Sequence, residues 1–117
     1  KVELGETRVE EIPLDKRTAV RGLLVRYRGA RNAPPGLSRT RQEARERASK
    51  LRSRAGMEGA DFADVALRFA DALLEPETIA PKLVDPSLGE IVVHLRVGDM
   101  SEPFECDEGF QVLQRIA

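Results

Sequence analysis

The fold is decided by the C-terminal stretch Val97-Gly-Asp-Met-Ser-Glu-Pro-Phe-Glu-Cys106, followed by Asp107-Glu108-Gly109 and then Phe110-Gln-Val-Leu-Gln-Arg-Ile116. Phe110 to Ile116 is rich in strand-forming residues and close to alternating, whereas Pro103 suits only an edge or a strand start. The glycine-containing connector between the two halves signals a hairpin. A hairpin this short is not stable alone in water and needs helices or another strand over its apolar side. The upstream chain is therefore expected to supply that cover.

The best partner for the hairpin is Ala19-Val-Arg-Gly-Leu-Leu-Val-Arg-Tyr27, an apolar, β-branched run bounded by charge that reads as a central strand. Arg28 to Leu37 carries two prolines, two glycines and an Asn, which makes it a loop. Its Arg28 and Arg31 are candidates to hold an anion bidentately; the other reading is plain solubility. Thr40-Arg-Gln-Glu43 is a capping box that starts a helix. Its buried stripe, Ala44, Ala48, Leu51 and Ala55, is narrow and made of small side chains, so the helix should lie close to its neighbour, and Gly56 and Gly59 should end it.

Asp61 caps a second helix, with Phe62, Val65, Ala66, Phe69 and Leu73 as its apolar stripe. From Leu74 the pattern weakens, and the two prolines of the following stretch allow at most a short edge strand. Asp85-Pro86 is an N-cap and an N1 proline opening a third helix, with Leu88, Ile91, Val92 and Leu95 inside and Gly98 closing it. Lys1 to Thr18 reads as an arm, with one short strand around Thr7 to Ile12 stopped by Pro13. The order is strand, helix, helix, weak strand, helix, strand, strand. That predicts an α+β domain, a small antiparallel sheet of three to four strands covered by about three helices, with residues 1–18 as the arm and 19–117 as the domain.

The 117 residues suffice for one lean core, and 41% hydrophobic with 33% charged residues is an ordinary globular composition. No apolar run is long enough to span a membrane. The chain starts at Lys1 rather than Met, so the terminus reads as processed or excised, and cytoplasm and cell envelope both stay open. The single Cys106 rules out an internal disulfide and reads as a small apolar residue on a strand. The single His94 makes no metal site, and no metal or other cofactor is expected.

The net charge of -1 hides a division: residues 21–54 hold eleven Arg/Lys against two Glu, and residues 55–117 hold four against thirteen Asp/Glu. This asymmetry suits an anionic partner, or the two halves for each other, or simply a solvated basic helix. Without interleaved aromatic residues for base stacking, no nucleic-acid partner is expected.

Val-Arg-Gly-Leu-Leu-Val-Arg-Tyr-Arg-Gly-Ala from Val20, Ser-Arg-Thr-Arg-Gln-Glu-Ala from Ser38, Gly-Ala-Asp-Phe-Ala-Asp-Val-Ala from Gly59 and the C-terminal stretch together resemble a parvulin-type peptidyl-prolyl cis/trans isomerase domain. The resemblance covers about residues 19–117 and is to the bacterial form with a long loop after the first strand. It implies turning an X-Pro bond, against a barrier of about 18–20 kcal/mol for an ordinary peptide, by holding the proline in an apolar pocket and favouring the twisted amide. Parvulins are similar in using two histidines on neighbouring central strands, a Cys or Asp nearby, and a Met/Phe/Leu pocket.

Laid on this sequence, the first histidine position is Gly22, the second is Gln111 and the Cys/Asp position is Ala72. The pocket Met and Phe fall on Val84 and Leu88. The glycine-rich strand before the third helix is degenerate, with no Gly between Ala60 and Leu88. His94 stands where the family has a small helix residue and does not replace the pair. Gly22 and Gln111 are expected to face each other, the glycine leaving room and the Gln able to donate and accept. Gln111, Val84, Leu88 and Phe110 are then the candidate peptide-binding residues, and Arg31 lies where phosphate-directed members carry basic residues.

The expectation is a catalytically degenerate parvulin-fold module that binds proline-containing or extended polypeptide, as a chaperone or interaction domain. Its alternatives are a weak isomerase acting by desolvation and strain, and an assembly domain that mates basic and acidic surfaces. Partner identity and oligomeric state are not written in the sequence.

Overall fold

The computed structural model of the protein describes residues 17–80 and 84–117. The arm strand expected around Thr7 to Ile12 lies outside the described residues. Among those described, β1 (Thr18–Val25), α1 (Arg41–Ala55), α2 (Phe62–Phe69), β2 (Ala72–Ile79), α3 (Pro86–Val93), β3 (Phe104–Cys106) and β4 (Gly109–Arg115) follow in order. The strands form one antiparallel four-stranded sheet in the order β2-β1-β4-β3, so the fold is α+β and the central β1 pairs with the C-terminal hairpin.

By contact density the chain divides into two compact units, one of Gly22–Glu75 with Glu102–Leu113, the other of Pro76–Ser101 and Gln114–Ala117 with the start of β1. In the first, Leu23, Leu24 and Val25 of β1 and Phe110, Val112 and Leu113 of β4 are buried, together with Ala44, Ala48, Leu51 and Ala55 of α1 and Phe62, Val65 and Ala66 of α2. The small-residue stripe of α1 is the one the spacing marks out, and α1 and α2 pack on each other. The capping box forms as written: Glu43 N donates to Thr40 Oγ1 at 3.1 Å and Thr40 N to Glu43 Oε1 at 2.8 Å. These bonds hold the Glu43 carboxyl below its ordinary value. Arg47 of α1 donates twice to the Phe69 carbonyl, at 3.2 and 2.7 Å, satisfying one of the orphan acceptors at the end of α2.

Three boundaries differ from the sequence expectation. The second helix stops at Phe69, and Leu73 belongs to β2 instead of the helical stripe. The reason is local: Ala70 turns extended, and Asp71 is captured by β1, its N–H donating to the Leu24 carbonyl at 2.9 Å. The second strand is eight residues long, not a stub. It holds Pro76 because, among the described residues, it is an edge strand, where a missing N–H can face away from the ladder. The third helix ends at Val93, and Gly98, at φ 95°, closes the following turn instead, in which Asp99 N donates to the Arg96 carbonyl at 2.9 Å.

The second unit is held by its own set of bonds. Asp85 caps α3 through Ser87 N at 2.9 Å, with the Ser87 hydroxyl and N–H keeping the Asp85 carboxyl below its usual range. Arg115 donates to the Leu95 carbonyl at 3.0 Å and Arg21 Nε to Gln114 Oε1 at 2.9 Å. Val92, Val93, Leu95, Ile79 and Ala80 are buried there.

Candidate functional site

The hairpin fixes the site. β3 and β4 pair antiparallel with Phe104 opposite Gln111, Glu105 opposite Phe110 and Cys106 opposite Gly109. Gly109 opens β4 at φ 143°, and a Cβ there would lie 2.2 Å from the Val25 carbonyl oxygen, so only glycine lets β1 and the hairpin turn approach this closely. Because side chains alternate along a strand, Phe110 and Glu105 share one face of the hairpin and Gln111, Phe104 and Cys106 the other.

The Phe110 face is sealed. Phe110 has no exposed surface; the Tyr27 ring lies 6.0 Å from it, and the Arg41 and Arg45 guanidinium groups lie 5.7 and 4.9 Å from its centroid. Glu105 ties the surrounding groups together, accepting from Tyr27 Oη at 2.6 Å and from Arg41 at 2.8 and 2.6 Å in a two-pronged pair. The bonds from Arg41 and Tyr27 pull the Glu105 carboxyl down to about 2. The same carboxylate raises the Tyr27 hydroxyl and the Arg41 guanidinium above their ordinary values. Phe110 thus enters the site as a support beneath the strand and offers no surface to a ligand.

The opposite face is more open. Gln111 is half-buried and donates from Nε2 to Cys106 Sγ at 3.3 Å, with the half-buried Phe104 ring across the ladder. Beside the turn, Arg26 makes a 3.5 Å ion pair with Glu108, while its buried Nε has no partner among the described residues. Such a donor, taken out of water and unpaired, costs stability. Neither Phe104 nor Arg26 stands out in the sequence, since one follows a proline and the other is one arginine in a basic run.

Gly22 is not opposite Gln111, and it leaves no room. A Cβ on Gly22 would meet Leu113 Cδ2 at 2.8 Å, the Val112 carbonyl at 3.1 Å and Leu74 Cδ1 at 3.2 Å. Leu113, two residues beyond Gln111 on the same face, lies over this glycine, and Leu74 from β2 closes the space from the other side. Ala72 is a half-buried strand residue with no titratable group. Its neighbour Asp71 is engaged, Oδ2 accepting from Arg26 N and Arg39 Nη1, both at 2.7 Å.

The remaining candidates are dispersed. Arg28 is exposed, and Arg31 pairs loosely with Asp107 at 3.5 Å. Val84 and Leu88, both half-buried, belong to the unit of α3. His94 is the exposed C-cap of α3, 3.1 Å from Glu90. Among the described residues no cluster of three or more His, Cys, Asp or Glu is placed to hold a metal ion, and no helix is long and apolar enough to cross a membrane.

The rotamase PPIC-type PPIase domain matches residues 31–117, most of the chain. The chain belongs to this family, the parvulins. Domains of the family bind peptide or protein substrates. No curated protein sequence matches this parvulin domain. Among solved structures it is similar to the peptidyl-prolyl isomerase ESS1 from Candida albicans, at 24% identity and TM-score 0.73, over 91% of this chain and 66% of that one. It is also similar to TbPIN1, at 22% and 0.70 over 86% and 97%, and to PrsA from Bacillus subtilis, at 14% and 0.61 over 89% and 36%. The domain thus spans just under two thirds of the Candida protein's length. At these identities the likeness speaks for the fold.

Proposed function

We propose that this parvulin domain binds extended, proline-containing polypeptide on the Gln111 face of its hairpin and does not isomerise it by side-chain proton chemistry. The supporting observation is the pair of substitutions at the family's histidine positions. One is a glycine whose space is filled by Leu74 and Leu113, and the other is Gln111, already hydrogen-bonded to Cys106. Neither residue gains or loses a proton near neutral pH, so a general acid–base role falls away.

What the face retains is recognition chemistry. The Phe104 ring gives a proline an apolar partner, and the Gln111 amide can both donate to and accept from a peptide unit. Both lie in one compact unit. Binding without chemistry needs no group to be stronger in the twisted than in the planar amide.

The test is an amide-shift titration with X-Pro peptides, run beside a proline-isomerisation assay. Shifts at Phe104 to Leu113 with an uncatalysed rate are expected. A rate well above the uncatalysed one would overturn the proposal in favour of a slow isomerase, and no shifts at millimolar peptide would overturn the binding itself.

A further inference from the structure

Helix α1 carries six cations, and most are engaged. Arg41 is held by Glu105, Arg47 by the Phe69 carbonyl and Arg52 by Glu102 at 3.4 Å, while Arg45 lies over Phe110. Like Arg45 and Arg47, Lys50 and Arg54 have no carboxylate partner among the described residues, but these two line an open surface. The Arg54 guanidinium lies over the Phe69 ring, 4.1 Å from its centroid.

With 3.6 residues per turn, Ser49, Lys50 and Ser53 fall on the side of α1 turned away from the buried Ala44, Ala48, Leu51 and Ala55, and Arg54 falls on the flank between that side and α2. Together with Met57 they line an open groove of about 510 Å³. Both serines are exposed and able to donate. Met57 is 65% exposed, one of three large apolar side chains so presented among the described residues. The nearest acid one turn back, Glu46, accepts from Gln42 at 3.0 Å. Two positive charges, two hydroxyl donors and one adaptable apolar side chain therefore share one surface, separate from the hairpin face.

We propose that this groove docks an acidic segment of a partner protein, with carboxylates on Lys50 and Arg54 and an apolar side chain against Met57. Charge complementarity selects the occupant. Methionine adapts to varied apolar groups, which suits a polypeptide. A single-stranded nucleic acid would stack its bases on open aromatic rings, and the Phe69 ring here is already covered by Arg54. A membrane surface would need a broad apolar stripe on the helix, and this face has one methionine.

The full chain is titrated with a proline-free peptide of Asp and Glu around a central Leu, and amide shifts are followed at low and raised salt. Shifts at Ser49 to Met57 are expected, fading as salt rises. The Lys50→Glu/Arg54→Glu variant should weaken binding at least tenfold, and Met57→Ala by a smaller factor. If the double variant loses its helical circular dichroism, Ser53→Glu, an exposed site that adds a negative charge to the groove, serves in its place with the same expected weakening. Absence of shifts at millimolar peptide overturns the proposal, as do shifts confined to the Arg28–Arg31 loop. Tighter binding of an oligonucleotide or an anionic vesicle to the same residues overturns it too. Because the peptide lacks proline, the outcome is independent of the hairpin site.

Discussion

The two faces of β4 are built from alternate residues of the same seven-residue strand, yet they do different work. On one side Phe110 sits under Tyr27, Arg41 and Arg45, with Glu105 closing the network over it. On the other, Gln111 shares a single bond with Cys106 and keeps part of its surface in water. The first face is packed around a fully buried ring, whereas the second is packed where Leu113 meets Gly22 and opens at Gln111.

The comparison breaks most visibly at Phe110. Phe110→Ala should cost about 3–5 kcal/mol in denaturant unfolding, because it removes a fully buried ring and leaves its cover without support. A loss below ~1 kcal/mol would mean that the sealed face is not the stabilising one. Gly22→Ala comes next, at about 1–3 kcal/mol, since the new methyl meets Leu113 at 2.8 Å in a closed space. Shortening Leu113 to Ala in the same chain should return part of that loss, which a double-mutant cycle would read directly.

Glu105 sharpens the contrast through pH. Its carboxyl is pulled from 4.5 to about 2 in the folded protein, chiefly by the hydrogen bonds from Arg41. A group whose folded value is depressed stabilises fully above its unfolded value and loses that contribution as pH falls through the folded one. The stability gap between the native protein and Glu105→Gln should therefore be flat above about pH 5 and close between pH 4.5 and about 2. A gap that does not change over this range would break the assignment. Gln111→Ala is expected to have the smallest effect on stability, within ~0.5 kcal/mol, while weakening X-Pro peptide binding severalfold. A large loss of stability would show that the open face is also structural.

Much of this was legible in the residues because it is local. Thr40 and Glu43, Asp61, and Asp85 with Pro86 mark the helix starts through bonds that span a few residues, and the alanine stripe of α1 marks its buried side. What depends on a distant partner was not legible. The stop of α2 at Phe69 is imposed by β1 through Asp71, and Leu73 keeps helical spacing without being in the helix. The closure over Gly22 comes from Leu74 and Leu113, residues of two other strands, so a glycine that suggests room marks close packing instead. The resemblance names positions in the chain and says nothing of their surroundings. That Phe110 is sealed and Arg26 left with an unpaired donor follows only from the assembled sheet.

Pro76, with exposed Glu75 and Glu77 on either side, lies midway along the edge strand β2. A bare sheet margin is a template on which another extended chain can lay itself down, and crowded copies of a protein can grow end to end in this way. Here an arriving strand meets a residue with no N–H to give and two negative charges that repel most backbone-pairing neighbours of like sign. This margin is thereby blunted against recruitment, and the sheet's other edge among the described residues, β3, is only three residues long.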